Sequence, residues 1–376
     1  MELRVYDTAF VMHGIIEKIT SLIWTRRYWA CGEFKLLVPF TPRHIELLKI
    51  GRLIMKRGDD EVADDEAAVI KYINIRKNIQ GKQEIEIQGR FLPTWIGKRI
   101  VRNQIITTAQ MPAIIRRIVQ ENVTAPTDAN RRINNIVLAP ITGVTRPVIE
   151  YVTEEYSNAL LACETAAKAS FLGFGIYTDV RAKNHTFRIY DGQNLTADQT
   201  INPPCVFSHE FDNILEQEYT NSVENLRSTA YVGGEDKEGV PRQVVEVNPA
   251  AAGLDRSEIF INATDITQTY REGNDEIEIP LPQYLNMLRQ RGGAELEHHA
   301  ETLAFSSKVN THSNLKYRED YNLGDRVTCV NKPWGVRINV RITEIAETYQ
   351  RNGAETIITF GESLPSLFDA IRHMIN

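Results

Sequence analysis

Short alternations of apolar and polar residues dominate the first hundred positions and predict β-structure. Residues 32–40 have the pattern of one strand that ends at Pro39. A clearer period-2 segment, residues 69–75, turns at residues 80–82 and returns through residues 84–87. This pattern predicts a β-hairpin with one buried face. The acidic residues 59–66 predict a solvated loop rather than a metal site, because calcium loops need a fixed ligand spacing and a turn glycine.

The periodicity changes near residue 105 from strand-like to helical. Pro112 suits the first turn of a helix whose apolar residues fall on one face, namely Ile114, Ile115, Ile118 and Val119. Residues 154–170 predict a second amphipathic helix with five residues facing inward, namely Leu160, Leu161, Cys163, Ala166 and Ala167. Two short strands then follow within residues 171–192, and the adjacent Pro203 and Pro204 are typical of a domain boundary.

From Phe207 onward the pattern is again that of strands, with one helical interruption. Residues 282–310 predict a helical insertion, and Gly292 and Gly293 predict a break within it. Near the end, residues 350–353 contain an Asn-Gly pair between two alternating segments, which predicts a hairpin. Together the patterns predict a β-rich α+β fold. We expect a β-domain at residues 1–105, an α+β module at 106–206 and a second β-domain at 207–376.

Composition agrees with an ordinary globular protein. Of the 376 residues, 42% are hydrophobic and 24% are charged, so two or three domains with real cores are expected. The formal net charge of −6 argues against a surface built to hold nucleic acid tightly. The N-terminus lacks a signal-peptide pattern, and no run of about 18 apolar residues occurs. We therefore expect a soluble protein that is released from its producing cell only by lysis.

Residue types that commonly carry chemistry do not form a recognisable catalytic pattern. Cys31, Cys163, Cys205 and Cys329 lie far apart, which favours four free buried thiols over a zinc site. Glu295 and His298 form one E-x-x-H element, whereas a di-metal carboxylate site needs two such elements and further glutamates. The adjacent His298 and His299 point in different directions on a helix.

The glycines at 173 and 175 follow a helix, so they indicate a strand entry rather than a phosphate cradle. We expect no catalytic, cofactor-binding or metal-ligating residues, no cofactor and no enzymatic activity.

Two aromatic features leave other functions open. Trp24, Trp29, Trp95 and Trp334 are the residue type that stacks against sugars, although tryptophan in a β-rich protein is more often core or interface. The run from Arg26 to Trp29 mixes basic and aromatic residues, which is one feature of single-stranded nucleic-acid binding.

The order of several short motifs resembles the siphophage tail-hub family. In the first hundred residues these motifs are Trp29, Gly32-Glu33-Phe34, Leu37-Val38-Pro39, Ala68-Val69-Ile70, Gly89-Arg90-Phe91-Leu92 and Arg99-Ile100-Val101. Near the end they are Leu323-Gly324-Asp325-Arg326-Val327, Ile342-Thr343-Glu344-Ile345 and Thr359-Phe360-Gly361-Glu362. The likeness extends over nearly the whole chain.

This resemblance implies the baseplate-hub fold, in which two β-barrel-like domains per chain let a trimer imitate a six-fold ring. The implied function is that of a structural hub at the tail tip of a siphophage or prophage, which closes and extends the tail tube. The implied partners are other copies of the chain, the distal tail protein ring, the tape measure protein and receptor-binding tail-tip proteins, with DNA passing through the ring. Because the chain stops at Asn376, a hydrolase or adhesin is expected on another protein. The alternatives are a cell-wall carbohydrate-binding or carbohydrate-active phage protein and the hub of a contractile injection system.

Overall fold

The computed structural model describes residues 2–56, 65–77, 81, 83–153, 155–237, 239–272, 275–310, 313–351 and 353–361. Within these ranges strands are the predominant regular structure, with four α-helices. The strands are β1 Leu3–Tyr6, β2 Met12–Ile16, β3 Ser21–Arg27, β4 Glu33–Pro39, β5 Leu53–Lys56, β6 Asp65–Glu66, β7 Ala68–Lys77, β8 Gln83–Phe91, β9 Ile106–Gln110, β10 Ile136–Leu138, β11 Val148–Val152, β12 Gly173–Asp179, β13 Asn184–Tyr190, β14 Val206–Ser208, β15 Ile214–Ser222, β16 Thr229–Gly233, β17 Val244–Val247, β18 Glu258–Asn262, β19 Thr269–Glu272, β20 Asp275–Glu278, β21 Thr302–Val309, β22 Arg326–Asn331, β23 Val336–Gln350 and β24 Gly353–Gly361. The helices are α1 Pro42–Leu47, α2 Met111–Val119, α3 Ala159–Ala169 and α4 Leu281–His298.

One large sheet joins the two ends of the chain. Its strands follow the order β15-β21-β24-β23-β3-β4-β8-β7-β5-β1-β2, and β22 with β14 attaches through β23. The central contact is the antiparallel pairing of β3 with β23, from Arg27 opposite Glu344 to Ser21 opposite Gln350. The predicted hairpin partners β7 and β8 pair within this sheet, and so do β23 and β24. Of the predicted turn residues, Gln80, Lys82 and Asn352 lie outside the described residues, as do positions 59–64 of the acidic segment.

The middle module contains both predicted helices. Ile114, Ile115, Ile118 and Val119 of α2 are fully buried, which confirms the predicted apolar face. The second helix is shorter than predicted, because the Asn158 side chain accepts from the Leu160 and Leu161 backbone N–H groups and caps it there. The prediction that Leu161 faces inward is wrong, since its side chain is 49% exposed. A four-stranded sheet, β10-β13-β12-β6, completes this region, and its strand β6 comes from the first hundred residues.

A smaller unit within residues 223–300 packs α4 against the three-stranded sheet β17-β16-β18. The predicted break at the glycine pair is wrong, because α4 runs continuously through it. A Cβ on Gly292 would lie 2.6 Å from a methyl carbon of Val247 and 2.7 Å from one of Val232, so glycine lets the helix approach the sheet. The helix also ends earlier than predicted, since residues from Thr302 form β21.

The buried apolar residues form three clusters. The first combines residues from Leu3 to Phe187, so it crosses the predicted boundary at residue 105. The second contains Tyr28 together with residues from Leu195 to Phe360. The third belongs to the unit of residues 223–300. The division of the chain into the domains 1–105, 106–206 and 207–376, with two barrels, stays a prediction, whereas the β-rich α+β class with few helices is confirmed.

Candidate functional surface: the open face of the large sheet

Eight consecutive antiparallel strands, from β15 to β7, place alternate side chains on one face that is open to solvent. Directly opposed residues form rows across this face. One row contains Glu355, Thr348, Ile23, Lys35, Gln88 and Tyr72. A second contains Lys308, Ile357, Ala346, Thr25, Glu33 and Arg90. We call this surface the open face.

Cations on the open face pair with glutamates on neighbouring strands. The Arg27 guanidinium lies 2.7 Å from a Glu33 carboxylate oxygen and 2.8 Å from one of Glu344. Lys308 lies 2.9 Å from Glu355 and 3.9 Å from Glu216. Because opposite charges are interleaved, much of this face offers paired charges rather than one extended field.

Glu86 is the centre of a third charged group. One of its carboxylate oxygens lies 3.1 Å from the Lys35 ammonium, and the other lies 3.3 Å from the Arg76 guanidinium. The Gln88 side-chain amide also donates to Glu86 at 2.6 Å. The hydrogen bonds from Gln88 and Lys35 hold the pKa of Glu86 below its usual value, so this carboxylate stays charged at neutral pH.

The opposite side of the same strands is sealed by buried ion pairs. Arg26 on β3 pairs with Glu66 on β6 and donates to the Tyr317 hydroxyl at 2.6 Å. Lys56 pairs with Glu347 on β23 and lies 5.5 Å from the centre of the Trp24 ring. Burial opposes the charge on Glu347, but Lys56 outweighs it and lowers the pKa of that carboxyl. These contacts hold β3 against β23 on the side of the sheet opposite the open face.

Several sequence candidates are placed away from any exposed site. Trp24 and Trp95 are buried, so they offer no free ring face to a sugar, whereas Trp334 is half exposed. In the basic-aromatic run, Arg26 and Tyr28 are interior residues, which argues against nucleic-acid contact there. The four cysteines are free and buried, as predicted.

The structure does not combine the predicted metal-binding and phosphate-binding candidates into a binding site. Glu295 and His298 lie on α4, and His299 follows the end of the helix. Among the described residues no group of three His, Cys, Asp or Glu side chains converges as a metal site. Gly173 and Gly175 lie on β12, where a Cβ on Gly173 would meet the Tyr28 ring at 2.4 Å. This glycine therefore allows close packing.

The excess of acid is located away from the open face. Residues 223–300 contain 14 Asp and Glu and 7 Lys and Arg, so this segment alone has a formal charge of −7, compared with −6 for the whole chain. The net charge of the sequence therefore does not describe the open face. Within the described part of the chain, no helix has the length and apolar composition of a membrane span.

Comparisons with known proteins give a consistent family and fold. A family model described as Siphovirus ReqiPepy6 Gp37-like protein matches residues 2–362. No curated protein sequence matches the chain significantly.

Three solved structures share the fold at low sequence identity. A tail protein from Neisseria meningitidis MC58 is 12% identical, with 96% of each chain covered and a TM-score of 0.54. The prophage MuSo2 43 kDa tail protein from Shewanella oneidensis is 14% identical, with 96% of this chain and 98% of that chain covered and a TM-score of 0.55. The prophage tail protein gp18 from Listeria monocytogenes EGD-e is 12% identical, with 100% and 98% covered and a TM-score of 0.52.

Proposed function

The chain belongs to the Siphovirus ReqiPepy6 Gp37-like protein family, a family of siphovirus tail proteins, and from this premise we propose that it is the structural hub of the tail tip. In this proposal three copies form a ring that closes and extends the tail tube below the distal tail protein ring. The ring assembles in the host cytoplasm, becomes part of the virion and provides the conduit for DNA. The observation that carries the proposal is the open face, which is continuous over eight strands drawn from both ends of the chain.

The dimensions of the open face suit a tube wall. Strands lie about 4.8 Å apart, so eight of them span about 34 Å from the first strand to the last. Three copies side by side would place 24 strands around a circumference of about 115 Å. A sheet of that size, curved with its open face inward, would enclose a channel.

The two outer edges of the eight strands have opposite directions. Within the described residues β15 pairs with β21 alone, and β7 beyond Ile70 pairs with β8 alone. Because every neighbouring pair between them is antiparallel, β7 of one copy and β15 of the next would also run antiparallel. Such a head-to-tail contact is heterologous, and it closes into a ring when the rotation per copy is right.

The side chains on these edges are complementary in charge and are incompletely covered. Arg76 and Lys77 are exposed on β7, and Glu216 and Glu218 are exposed on β15. Apolar residues are also exposed at both edges, Ile75 on β7 and Leu215 on β15. Complementary charge favours one partner edge over a like edge, and the apolar residues supply area to bury.

The remaining roles belong to surfaces rather than to chemistry. We expect the tape measure protein, the distal tail ring and receptor-binding tail-tip proteins to bind around the ring. We expect the protein to have no enzymatic activity and to need no cofactor. The buried positions of Trp24 and Trp95 disfavour the carbohydrate-binding alternative. A hub of a contractile injection system would differ in its partners rather than in this geometry.

The test is the mass of the purified protein, measured by light scattering and by native mass spectrometry. We expect three times the 42.8 kDa of one chain. Glu216→Lys combined with Glu218→Lys should give monomers, and adding Arg76→Glu and Lys77→Glu should restore the trimer. The matched control is Glu17→Lys with Glu46→Lys, two exposed glutamates away from both edges. The proposal would be contradicted if the wild-type protein stayed monomeric even at the high local concentration that it has in assembled tails.

A further inference from the structure

Three cations gather at one end of the open face without acidic partners. Lys71 lies on β7, Arg90 lies on β8, and Lys98 ends the 3-10 helical segment Leu92–Lys98 that follows β8. No described residue forms an ion pair with any of the three. Desolvation and then the nearby charges of Lys98 and Arg90 lower the pKa of Lys71. The cluster is thus a concentration of positive charge that the described chain leaves uncompensated.

Arg90 has a hydrogen-bond donor that is buried and unused. Its Nε atom is inaccessible to solvent and has no acceptor among the described residues. One of its terminal nitrogens donates a long bond of 3.4 Å to the Cys31 carbonyl oxygen. Because the chain itself covers this Nε–H, Arg90 can offer a bound anion only its terminal nitrogens.

A cavity of about 570 Å³ lies beside these groups. Its lining includes Lys71, Arg90, Thr94, Gln88 and Tyr72, which supply donors and one aromatic edge. Glu33 also lines this cavity, but its carboxylate is engaged with Arg27 at 2.7 Å. Glu164, near Cys31, accepts from the Cys31 backbone N–H at 2.9 Å. Both of these carboxylates therefore already have a partner within the chain.

We propose that Lys71 and Arg90, which both line this cavity, form an oxyanion-binding site that receives a carboxylate or phosphate group there, with Lys98 adding positive charge from outside the lining. Arginine offers a rigid fork of N–H donors that matches the oxygens of such groups, and the two lysines add charge. The oxyanion has two candidate sources, an acidic side chain of a neighbouring protein chain or a phosphate group. This site stands on the contacts of one chain, so it does not depend on the trimeric ring.

The experiment is calorimetric titration of the full chain with inorganic phosphate and, in a second arm, with glutarate. Both titrations are made against sodium chloride of equal ionic strength. We expect saturable binding of one anion per chain. Lys71→Gln should weaken it about fivefold or more, because it removes one charge from the cavity lining, and Lys98→Gln should weaken it less, because its charge lies farther away. Arg90→Lys, which keeps the charge and removes the fork of guanidinium N–H donors, should also weaken binding.

The matched control is Lys316→Gln, which removes an exposed lysine in the last third of the chain and should leave the affinity unchanged. Urea unfolding in chloride checks that each variant is folded. Tighter binding of glutarate assigns the site to acidic side chains, and tighter binding of phosphate assigns it to phosphate groups; either result supports the site. Absence of saturable binding of both anions at millimolar concentration overturns it, as does equal weakening in Lys316→Gln.

Discussion

Arg27 on β3 and Glu344 on β23 form an ion pair at 2.8 Å, although 317 residues separate them in the chain. Their strands form the central contact of the large sheet, so this pair marks where the two ends of the chain meet on the open face. On the other side of β3, the adjacent Arg26 forms a second ion pair, with Glu66, that is buried. Burial opposes the charge of Arg26, and Glu66 more than compensates, so the pKa of Arg26 lies above its usual value.

Removing the carboxylate should affect these two ion pairs very differently. Glu66→Gln leaves the Arg26 charge buried without its partner, and we expect a loss of about 3–5 kcal/mol in the free energy of unfolding. Glu344→Gln breaks a pair whose side chains are about one third exposed, and we expect a loss of at most about 1 kcal/mol. Urea denaturation of both variants measures the difference. Equal losses would show that burial does not separate the two pairs.

The two adjacent glycines of α4 provide a matched pair for packing. Gly292→Ala should destabilise the protein, because the new Cβ would lie within 2.7 Å of methyl carbons of Val232 and Val247. Gly293→Ala meets no atom within 4 Å and should stabilise the helix by about 0.5–1 kcal/mol. Thermal unfolding followed by circular dichroism measures whether each substitution lowers or raises the stability of the protein. A stabilising Gly292→Ala would contradict the close approach of helix and sheet.

Binding of duplex DNA should be weak at physiological ionic strength, because many cations of the open face are paired with glutamates. Glu344→Lys combined with Glu355→Lys removes one of the two glutamate partners of Arg27 and of Lys308 and adds two further cations. We expect this variant to bind DNA measurably at low salt, with an affinity that falls steeply as salt rises. Fluorescence anisotropy over a salt series measures it. Glu17→Lys with Glu46→Lys makes the same change in net charge and should bind less; tight binding by the wild type that persists at high salt would contradict the conduit role.

His185 should make stability depend on pH. Its ring is buried, stacks on Phe10 at 4.7 Å and contacts Trp95 edge-on at 5.1 Å, and Thr178 Oγ1 lies 3.0 Å from its Nδ1. Burial lowers the pKa of His185 to about 4. The folded state thus binds this proton less readily than the unfolded state, in which the pKa is about 6.5. The contribution is complete above pH 6.5 and is lost as the pH falls towards 4.

Between pH 7.5 and pH 5 this loss should amount to about 2 kcal/mol. Urea unfolding at both pH values measures it in the wild type and in His185→Gln, so that the other histidines cancel in the difference. The variant should lose about 2 kcal/mol less than the wild type over this interval. An identical pH dependence in both proteins would show that His185 titrates normally.

Local sequence patterns determined the secondary structure in many places. The alternation in residues 69–75 and 84–87 and the Asn-Gly pair near residue 352 predicted strand pairs that the fold contains. The apolar face of α2 was also predicted, because a helix exposes its periodicity within a few turns of sequence. The failures were local as well. The six-residue helix α1 was not predicted, since so short a helix has little periodicity.

Only the tertiary structure decided which strands meet and which charges neutralise each other. Nothing in the neighbourhood of Arg27 indicates Glu344, and nothing near Gly292 indicates Val247, because strand partners and close packing depend on residues distant in sequence. The net charge of −6 likewise gave no account of the open face, since the excess acid lies within residues 223–300. The order of short motifs was enough to indicate the family, because these motifs and their order can be read directly from the linear sequence. The open face is composed of alternate residues from eight strands, and it exists only when the two ends of the chain pair through β3 and β23.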